Sequence, residues 1–327
     1  LDRIYSVTSG TGGSMPSSPS SELSPAAVIG PGRVGLALAI FLDRIGVEVT
    51  VGARSDRGRE RVEAAGLAIA DPTDATRGAS LVLLTVPDDE LPSLVTALAA
   101  DGAFAAGQVV IHTAGVDGPG LLAPAAAGGA LTAACHPVQI FNDDLEATLG
   151  RLPGTVWGVT GDPAGREVVA ALGGRPMDVP ESGRVRYHAA LVLAANGCAA
   201  LSATAADQLR AGGVIDPSAL LSGLIHASVD SALSTGQAGL SGPWVRGDGR
   251  TVAMHTEALA RKQKVINVYV ALARLVADRA AAAGRLDAEA RARVEAGLHG
   301  HVEGEDSHER LELLRRLGRR ARGRDQR

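Results

Sequence analysis

Residues 26–35 read Ala26-Ala27-Val28-Ile29-Gly30-Pro31-Gly32-Arg33-Val34-Gly35, and a helical run from Leu36 to Ile45 follows directly. Four apolar residues ahead of a glycine predict a strand, and the Gly-x-Gly-x-x-Gly spacing predicts a tight turn feeding a helix. Gly30 permits the turn, Gly32 lets a pyrophosphate approach the backbone, and Gly35 allows close packing of helix on strand. The spacing alone is a weak signal in a chain with 41 glycines, but strand, motif and helix agree here. Amides at the start of such a helix face negative charge. Gly30, Pro31, Gly32, Arg33, Val34 and Gly35 are therefore the candidate phosphate-binding residues.

The end of the second strand selects between cofactors. An NAD site places Asp or Glu about 20 residues beyond the motif to hold the ribose 2′-hydroxyl. Here Val51-Gly52-Ala53-Arg54-Ser55 occupies that place, with Arg54 19 residues after Gly35 and Arg57 nearby. Arginine and serine suit a 2′-phosphate through charge-assisted hydrogen bonds, which favours NADP(H) over NAD(H). Asp56 is discordant, but it sits two positions past the expected one and suits a cap of the next helix. The fourth strand ends in Leu84-Thr85-Val86-Pro87-Asp88-Asp89. Strand ends on this side of an open sheet border the ligand crevice, which adds Val86 and Pro87 as cofactor candidates. Asp88 reads as the cap of a helix beginning near Leu91.

Outward from this turn, short apolar runs alternate with Ala/Leu-rich helical stretches as far as about Asp178. The runs are Ala26–Ile29, Val47–Val51, Leu67–Ala70, Leu81–Val86, Val109–Ile111, Leu131–Ala134 and Thr155–Val159. Apolar strands interleaved with helices predict an α/β, doubly wound, mostly parallel sheet covered on both faces. After Pro180 the strand signals stop and an all-α region begins. Asp216-Pro217 is a helix start, an N-cap followed by proline in the first turn, and Thr251 to about Gly284 reads as one long helix. The expected division is a flexible leader over 1–24, a Rossmann-like dinucleotide domain over 25–180, a helical domain over 181–300 and a charged, disordered tail over 301–327. Leu1 as first residue, with Met15 downstream, also reads as an over-extended gene start.

Composition narrows the classes. The 327 residues carry a formal charge of −4, which gives no support to nucleic-acid binding as the main task. Cys135 and Cys198 make no disulfide framework and read as two buried thiols in a reducing cytoplasm. Tyr187 to Ala206 has no formal charge over 20 residues, long enough to span a bilayer. With His188, Asn196, Gly197, Ser202 and Thr204 inside it and Ala dominant, it reads instead as a helix buried within a soluble protein. The eight histidines show no His-Glu-x-x-His spacing, so no metal site is expected. Of 32 basic residues only Lys262 and Lys264 are lysines.

GPGRVG at 30–35, GARS at 52–55 and TVPDDEL at 85–91 resemble the β-hydroxyacid dehydrogenase-like superfamily. That group includes pyrroline-5-carboxylate reductase, 6-phosphogluconate dehydrogenase, prephenate dehydrogenase and ketopantoate reductase. IHTAGV at 111–116, CHPVQIF at 135–141, RYHAALVLAANG at 186–197 and GPWVRGDGRTVAMH at 242–255 are more specific. They resemble a bacterial family that pairs an oxidoreductase-type Rossmann-like domain with a helical C-terminal domain of unknown function. The resemblance spans about Pro25 to Gly284. It implies an NADP-linked reductase or dehydrogenase, a helical domain used for substrate binding and homodimerisation, and no known substrate.

Several members of the superfamily place a Lys-x-x-x-Asn pair on the first helix of the second domain as proton donor. Asn196 sits in a comparable helix, but Val192 stands four residues before it and neither lysine is near. Histidine is the remaining option, since its pKa suits proton transfer near neutrality. His136 follows a strand in a His-Pro element similar to that of prephenate dehydrogenase; His188 lies eight residues before Asn196; His112 ends the fifth strand. Arg246 is a candidate clamp for a substrate carboxylate, with Asp248 either orienting it or capping the last helix. The primary expectation is an NADP(H)-dependent reductase of a small carboxylate-bearing carbonyl or imine, ketopantoate reductase-like by superfamily analogy. The rival is a nucleotide-binding regulatory or scaffolding protein without catalysis, which the missing lysine favours.

Overall fold

The computed structural model describes residues 23–299. Most of the expected leader and all of the expected tail lie outside the described residues. Eight strands form one sheet: β1 (Ala26–Ile29), β2 (Val49–Gly52), β3 (Ala68–Ala70), β4 (Leu81–Leu84), β5 (Val109–His112), β6 (Leu131–Pro137), β7 (Val156–Gly161) and β8 (Arg175–Asp178). Their order is β3-β2-β1-β4-β5-β6-β7-β8, and every pairing is parallel except β6 with β7. The order reverses between β1 and β4, where open α/β sheets hold their ligands.

Side chains alternate across a strand, and the two faces of this sheet build two separate cores. Ala26, Val28, Leu81 and Leu83 belong to one apolar cluster, while Ala27, Ile29, Val82 and Leu84 belong to the other. Helices α1 (Arg33–Arg44), α2 (Asp56–Ala64), α3 (Pro72–Arg77), α4 (Leu91–Ala100), α5 (Ala123–Ala127), α6 (Leu145–Arg151) and α7 (Ala164–Ala171) connect the strands. Ser55 caps α2 by accepting from the Gly58 amide, so Asp56 is the first helical residue and not the cap. Glu90, not Asp88, occupies the N-cap of α4. The extra strand β8 was not legible, because Arg175-Pro176-Met177-Asp178 is a short, mostly exposed edge with no apolar run.

The remaining helices are α8 (Arg184–Ala211), α9 (Pro217–Thr235), α10 (Pro243–Arg246), α11 (Gly249–Leu259), α12 (Gln263–Ala282) and α13 (Ala288–Leu298). Asp216 caps α9 as expected, accepting from the Ala219 amide. The single helix expected over 251–284 is two, α11 and α12. Lys262 leaves helical geometry at φ −119° and ψ 78° between them. The break lets both segments use one core, in which Val252 of α11, Ala273 and Ala277 of α12 and Val294 of α13 meet. No glycine or proline marks it, since packing rather than local propensity sets it.

The chain divides into two compact units, Leu1–Asn196 and Gly197–Arg327, with the boundary inside α8. This helix was expected to be buried. Arg184 is its only buried residue, Leu193 is 77% exposed, and Cys198 is half-buried. The physical reason is its composition: Ala-rich on all sides, it offers no one-sided apolar stripe to hold against a core. Together with the preceding turn, α8 is long and apolar enough to cross a membrane by length and composition. In α9 only Pro217 is buried, and Leu220, Leu224 and Leu233 stand exposed.

Candidate active site

Beyond the ends of β1, β2 and β4 opens a cleft of about 620 Å³. Gly30 has φ +101° and could carry no side chain, since a Cβ there would stand 2.7 Å from Val86 Cγ1. A Cβ on Gly35 would meet the Gly30 carbonyl oxygen at 2.1 Å, which is the close helix-on-strand packing the spacing predicts. Gly32 has nothing within 4 Å of the same position, and as N-cap of α1 it makes no side-chain cap. Backbone amides of α1 are thus open towards the cleft at the place a pyrophosphate requires.

At the β2 end, Arg54, Ser55, Arg57 and Arg61 line the cleft. None of the three guanidiniums pairs with a carboxylate among the described residues. Arg57 and Arg61 are four apart on α2 and so share one face. Three unpaired cations converging on one end form a receptor for a multiply charged anion, which fits an adenosine 2′-phosphate better than a hydroxyl. Val86 and Pro87 also line the cleft. Arg33 instead turns its guanidinium to Asp143, 2.9 Å away, tying the turn to the segment after β6. Its hydrogen bond and charge hold the Asp143 carboxyl below the usual carboxylate range.

Further along the same sheet edge, α8 delivers Tyr187 and His188 to the end of β6. Tyr187 Oη lies 2.9 Å from His136 Nδ1, and the two rings meet edge-on. His188 packs edge-on against His136 with ring centroids 5.4 Å apart. Both histidines therefore belong to one cluster, with Tyr187, which the sequence reading missed. Burial, aided by the charges of His188 and Arg184, pushes the His136 pKa down to about 4. The ring is neutral at pH 7 and serves as a hydrogen-bond partner. Burial raises the Tyr187 pKa, opposed by the charge of Arg184 and the Gly158 amide. Asp88 interacts with this cluster: burial first and Asp117 second raise its pKa, while His188 lowers it.

Three scattered glycines make room for these side chains. A Cβ on Gly158 would stand 2.4 Å from Tyr187 Oη, one on Gly115 2.3 Å from His188 Cδ2, and one on Gly118 2.5 Å from Glu181 Oε1. Behind them Arg184 is 1% exposed. It donates from Nη1 to Thr160 Oγ1 at 2.9 Å and from Nη2 to the Ala114 carbonyl at 2.8 Å.

The other expected site residues lie elsewhere. His112 is fully buried, and its Nε2 donates to the Gly118 carbonyl at 3.0 Å. Burial holds its pKa down to about 4, so the ring braces the 113–118 loop as a neutral group. Asn196 is exposed on α8, about 12 Å along the axis from His188. Cys135, on the face opposite His136, is buried against Gly165 with its thiol pushed up to about 12. In the second unit Asp248 caps α11 through the Thr251 amide and hydroxyl, at 3.1 and 2.7 Å, and Arg246 ends α10 exposed. No cluster of metal-ligand residues occurs among the described residues.

The model of a Rossmann-like domain matches residues 17–137, and that of a domain of unknown function, DUF2520, matches residues 155–276. The chain therefore carries a Rossmann-like domain followed by a DUF2520 domain. A Bacteroides fragilis protein provisionally named an NADP oxidoreductase is 20% identical, over 79% of this chain and 99% of that one, with a TM-score of 0.64. A reductive aminase from Aspergillus terreus in complex with NADPH and ethyl levulinate is 18% identical, over 83% and 98%, at 0.61. An imine reductase from Myxococcus stipitatus in complex with NADP+ is 18% identical, over 84% and 96%, at 0.58. These likenesses show the fold of this Rossmann-like and DUF2520 chain. A ketol-acid reductoisomerase (NADP(+)) of Psychrobacter sp. (strain PRwf-1) is 42% identical over 69 residues, 21% of this chain and 20% of that protein.

Proposed function

We propose that this Rossmann-like and DUF2520 protein is an NADP(H)-dependent oxidoreductase that reduces a C=N or C=O bond of a small molecule. The observation that carries the reading is the cleft itself, with open amides at Gly32 and Arg54, Arg57 and Arg61, none held in an ion pair among the described residues, at its far end. The nucleotides bound to its imine-reducing structural neighbours support the same choice. When bound, the dinucleotide supplies the hydride. Tyr187 donates a proton to the substrate nitrogen or oxygen, and neutral His136 holds the phenol oxygen in place. His188 packs edge-on against His136, and Asp88 acts on His188 through charge. A carboxylate-bearing, ketopantoate-type substrate is the narrower form of this reading.

NADPH titration by fluorescence, followed by stopped-flow oxidation against 2-keto acids and cyclic imines, tests the reading. Saturable binding with turnover of either class is expected. Turnover of imines alone removes the carboxylate-bearing substrate from the proposal. Tight binding without turnover of any compound overturns the enzyme reading in favour of a nucleotide-binding regulator or scaffold. The exposed leucines of α8 and α9 support a second copy of this chain as their cover. Light scattering should give twice the chain mass without detergent, whereas purification that requires detergent would point to a bilayer.

A further inference from the structure

Arg184 is the largest charged side chain in the buried interior, and no carboxylate among the described residues lies within ion-pair distance of it. Its two terminal nitrogens are spent on neutral oxygens, Thr160 Oγ1 and the Ala114 carbonyl, and its Nε is buried with no partner. Thr160 is itself locked, donating to the Val179 carbonyl at 2.6 Å. Burying a cation without an ion pair costs several kcal/mol, and a hydrophobic residue of similar size would ordinarily be preferred there. The charge is therefore held at this place for something other than packing.

The charge interaction that most favours the guanidinium is with the phenol of Tyr187. Residues three apart on a helix share a face, so Arg184 and Tyr187 project together from the first turns of α8 towards the ends of β6 and β7. Groups facing the phenol are His136 from β6, the Gly158 amide from β7 and Arg184 from its own helix. Groups acting on Arg184 are Tyr187, Cys135, Asp117 and Glu181. Cys135 stays a neutral thiol, and His136 a neutral ring. Among the described residues no carboxylate hydrogen-bonds the phenol, and Arg184 is the cation that acts on it, while Asp117 and Glu181 act on Arg184 from outside ion-pair distance.

We propose that Arg184 is a positioning residue that supplies the counter-charge for the Tyr187 phenolate formed when Tyr187 gives up its proton. The inference rests on the reading of Tyr187 as proton donor. In that step the substrate carbon gains the hydride supplied by the reduced dinucleotide. The substrate nitrogen or oxygen gains the Tyr187 proton, and the O–H electron pair remains on the phenol oxygen. That oxygen regains a proton from water before the next turnover. The guanidinium, fixed by Thr160 and Ala114 before any charge develops, needs no reorganisation when the phenolate forms, which is the condition for effective electrostatic stabilisation.

The test is an ultraviolet titration of the phenols, practical because the chain has three tyrosines, Tyr5, Tyr187 and Tyr269. Subtracting the curve of Tyr187→Phe assigns Tyr187. Arg184→Met should move its midpoint up by about one pH unit or more. Arg184→Lys should leave the midpoint close to that of the unsubstituted protein even where stability falls, because it keeps the charge and loses the fork. With an accepted substrate, the alkaline limb of the kcat profile should shift in the same direction for Arg184→Met, with KM little changed. Should Arg184→Met not fold, Arg184→Gln serves as the neutral variant. A Tyr187 midpoint that does not move in a folded neutral variant, with NADPH binding intact, overturns the assignment of Arg184 alone. Failure of the unsubstituted protein to bind NADPH overturns the oxidoreductase reading and the proton-donor role together.

Discussion

Two sets of three glycines shape this molecule, and they differ in what they make room for. Gly30, Gly32 and Gly35 lie within six residues of one another and open one turn to a ligand. Gly115, Gly118 and Gly158 come from three separate places in the chain and open the sheet edge to side chains of the helix that follows it. The first set is local in sequence and works mainly through backbone geometry. The second set has meaning only once α8 lies across the strand ends. A motif of the first kind can be found by spacing. One of the second kind is invisible until its occupants, Tyr187, His188 and Glu181, are in view.

The comparison can be broken by filling the glycines one at a time. The largest effect is expected at Gly35→Ala, whose methyl would overlap the Gly30 backbone carbonyl at 2.1 Å and Thr85 Oγ1 at 2.3 Å. A loss of about 3 kcal/mol or more in urea unfolding is expected, at the upper end of overpacking costs. Gly158→Ala comes next, at about 1–3 kcal/mol, because the atom it strikes is the movable tip of Tyr187. It should also abolish the Tyr187–His136 hydrogen bond, visible as an altered His136 signal in histidine NMR, while NADPH affinity is kept.

Gly32→Ala sharpens the contrast in the opposite sense. Gly32 has φ −72° and open space around its missing Cβ, so stability should change by less than about 1 kcal/mol. NADPH affinity should fall by about tenfold or more, equivalent to about 1.4 kcal/mol, because the methyl would occupy the approach of the pyrophosphate. Unchanged affinity would remove Gly32 from the phosphate site. Arg61→Ala should weaken NADPH by a similar or smaller factor, with NADH little affected. Equal losses for both nucleotides would show that Arg61 is not reading the 2′-phosphate.

A further expected effect is on pH. His112 and His136 have folded pKa values held down to about 4, against an ordinary value of 6.5. Between these values the unfolded chain binds more protons than the folded one, so stability falls as pH drops from about 6.5 towards about 4 and is level above. His136→Gln should flatten part of that slope in unfolding curves measured across the range. An unaltered slope would mean that His136 is not held neutral in the fold.

The cofactor half of the site was legible because its determinants are contiguous: an apolar strand, a spaced glycine turn and an arginine at the next strand end. Arg61 was missed since only its helical register with Arg57 carries it back to the cleft. The cluster around His136 was partly legible. His136 and His188 were singled out separately, but nothing in the spacing of 52 residues between them said that their rings meet. Tyr187 and Arg184 were passed over because they look like ordinary residues of a helix start, and what distinguishes them is a hydrogen bond to β6 and a buried, unpaired charge. His112 had the same local look as His136, at the end of a neighbouring strand, and the fold buried it.

The sequence by itself determined the alternating β/α order, the dinucleotide turn and the preference for a phosphate at the β2 end. Each of these depends on residues within one or two elements, where covalent geometry and side-chain type suffice. Only the tertiary structure decided which titratable groups share a site, where α8 enters the sheet edge, and that α11 and α12 are two helices. Those outcomes depend on contacts between residues tens of positions apart, which packing and desolvation select and local pattern does not record.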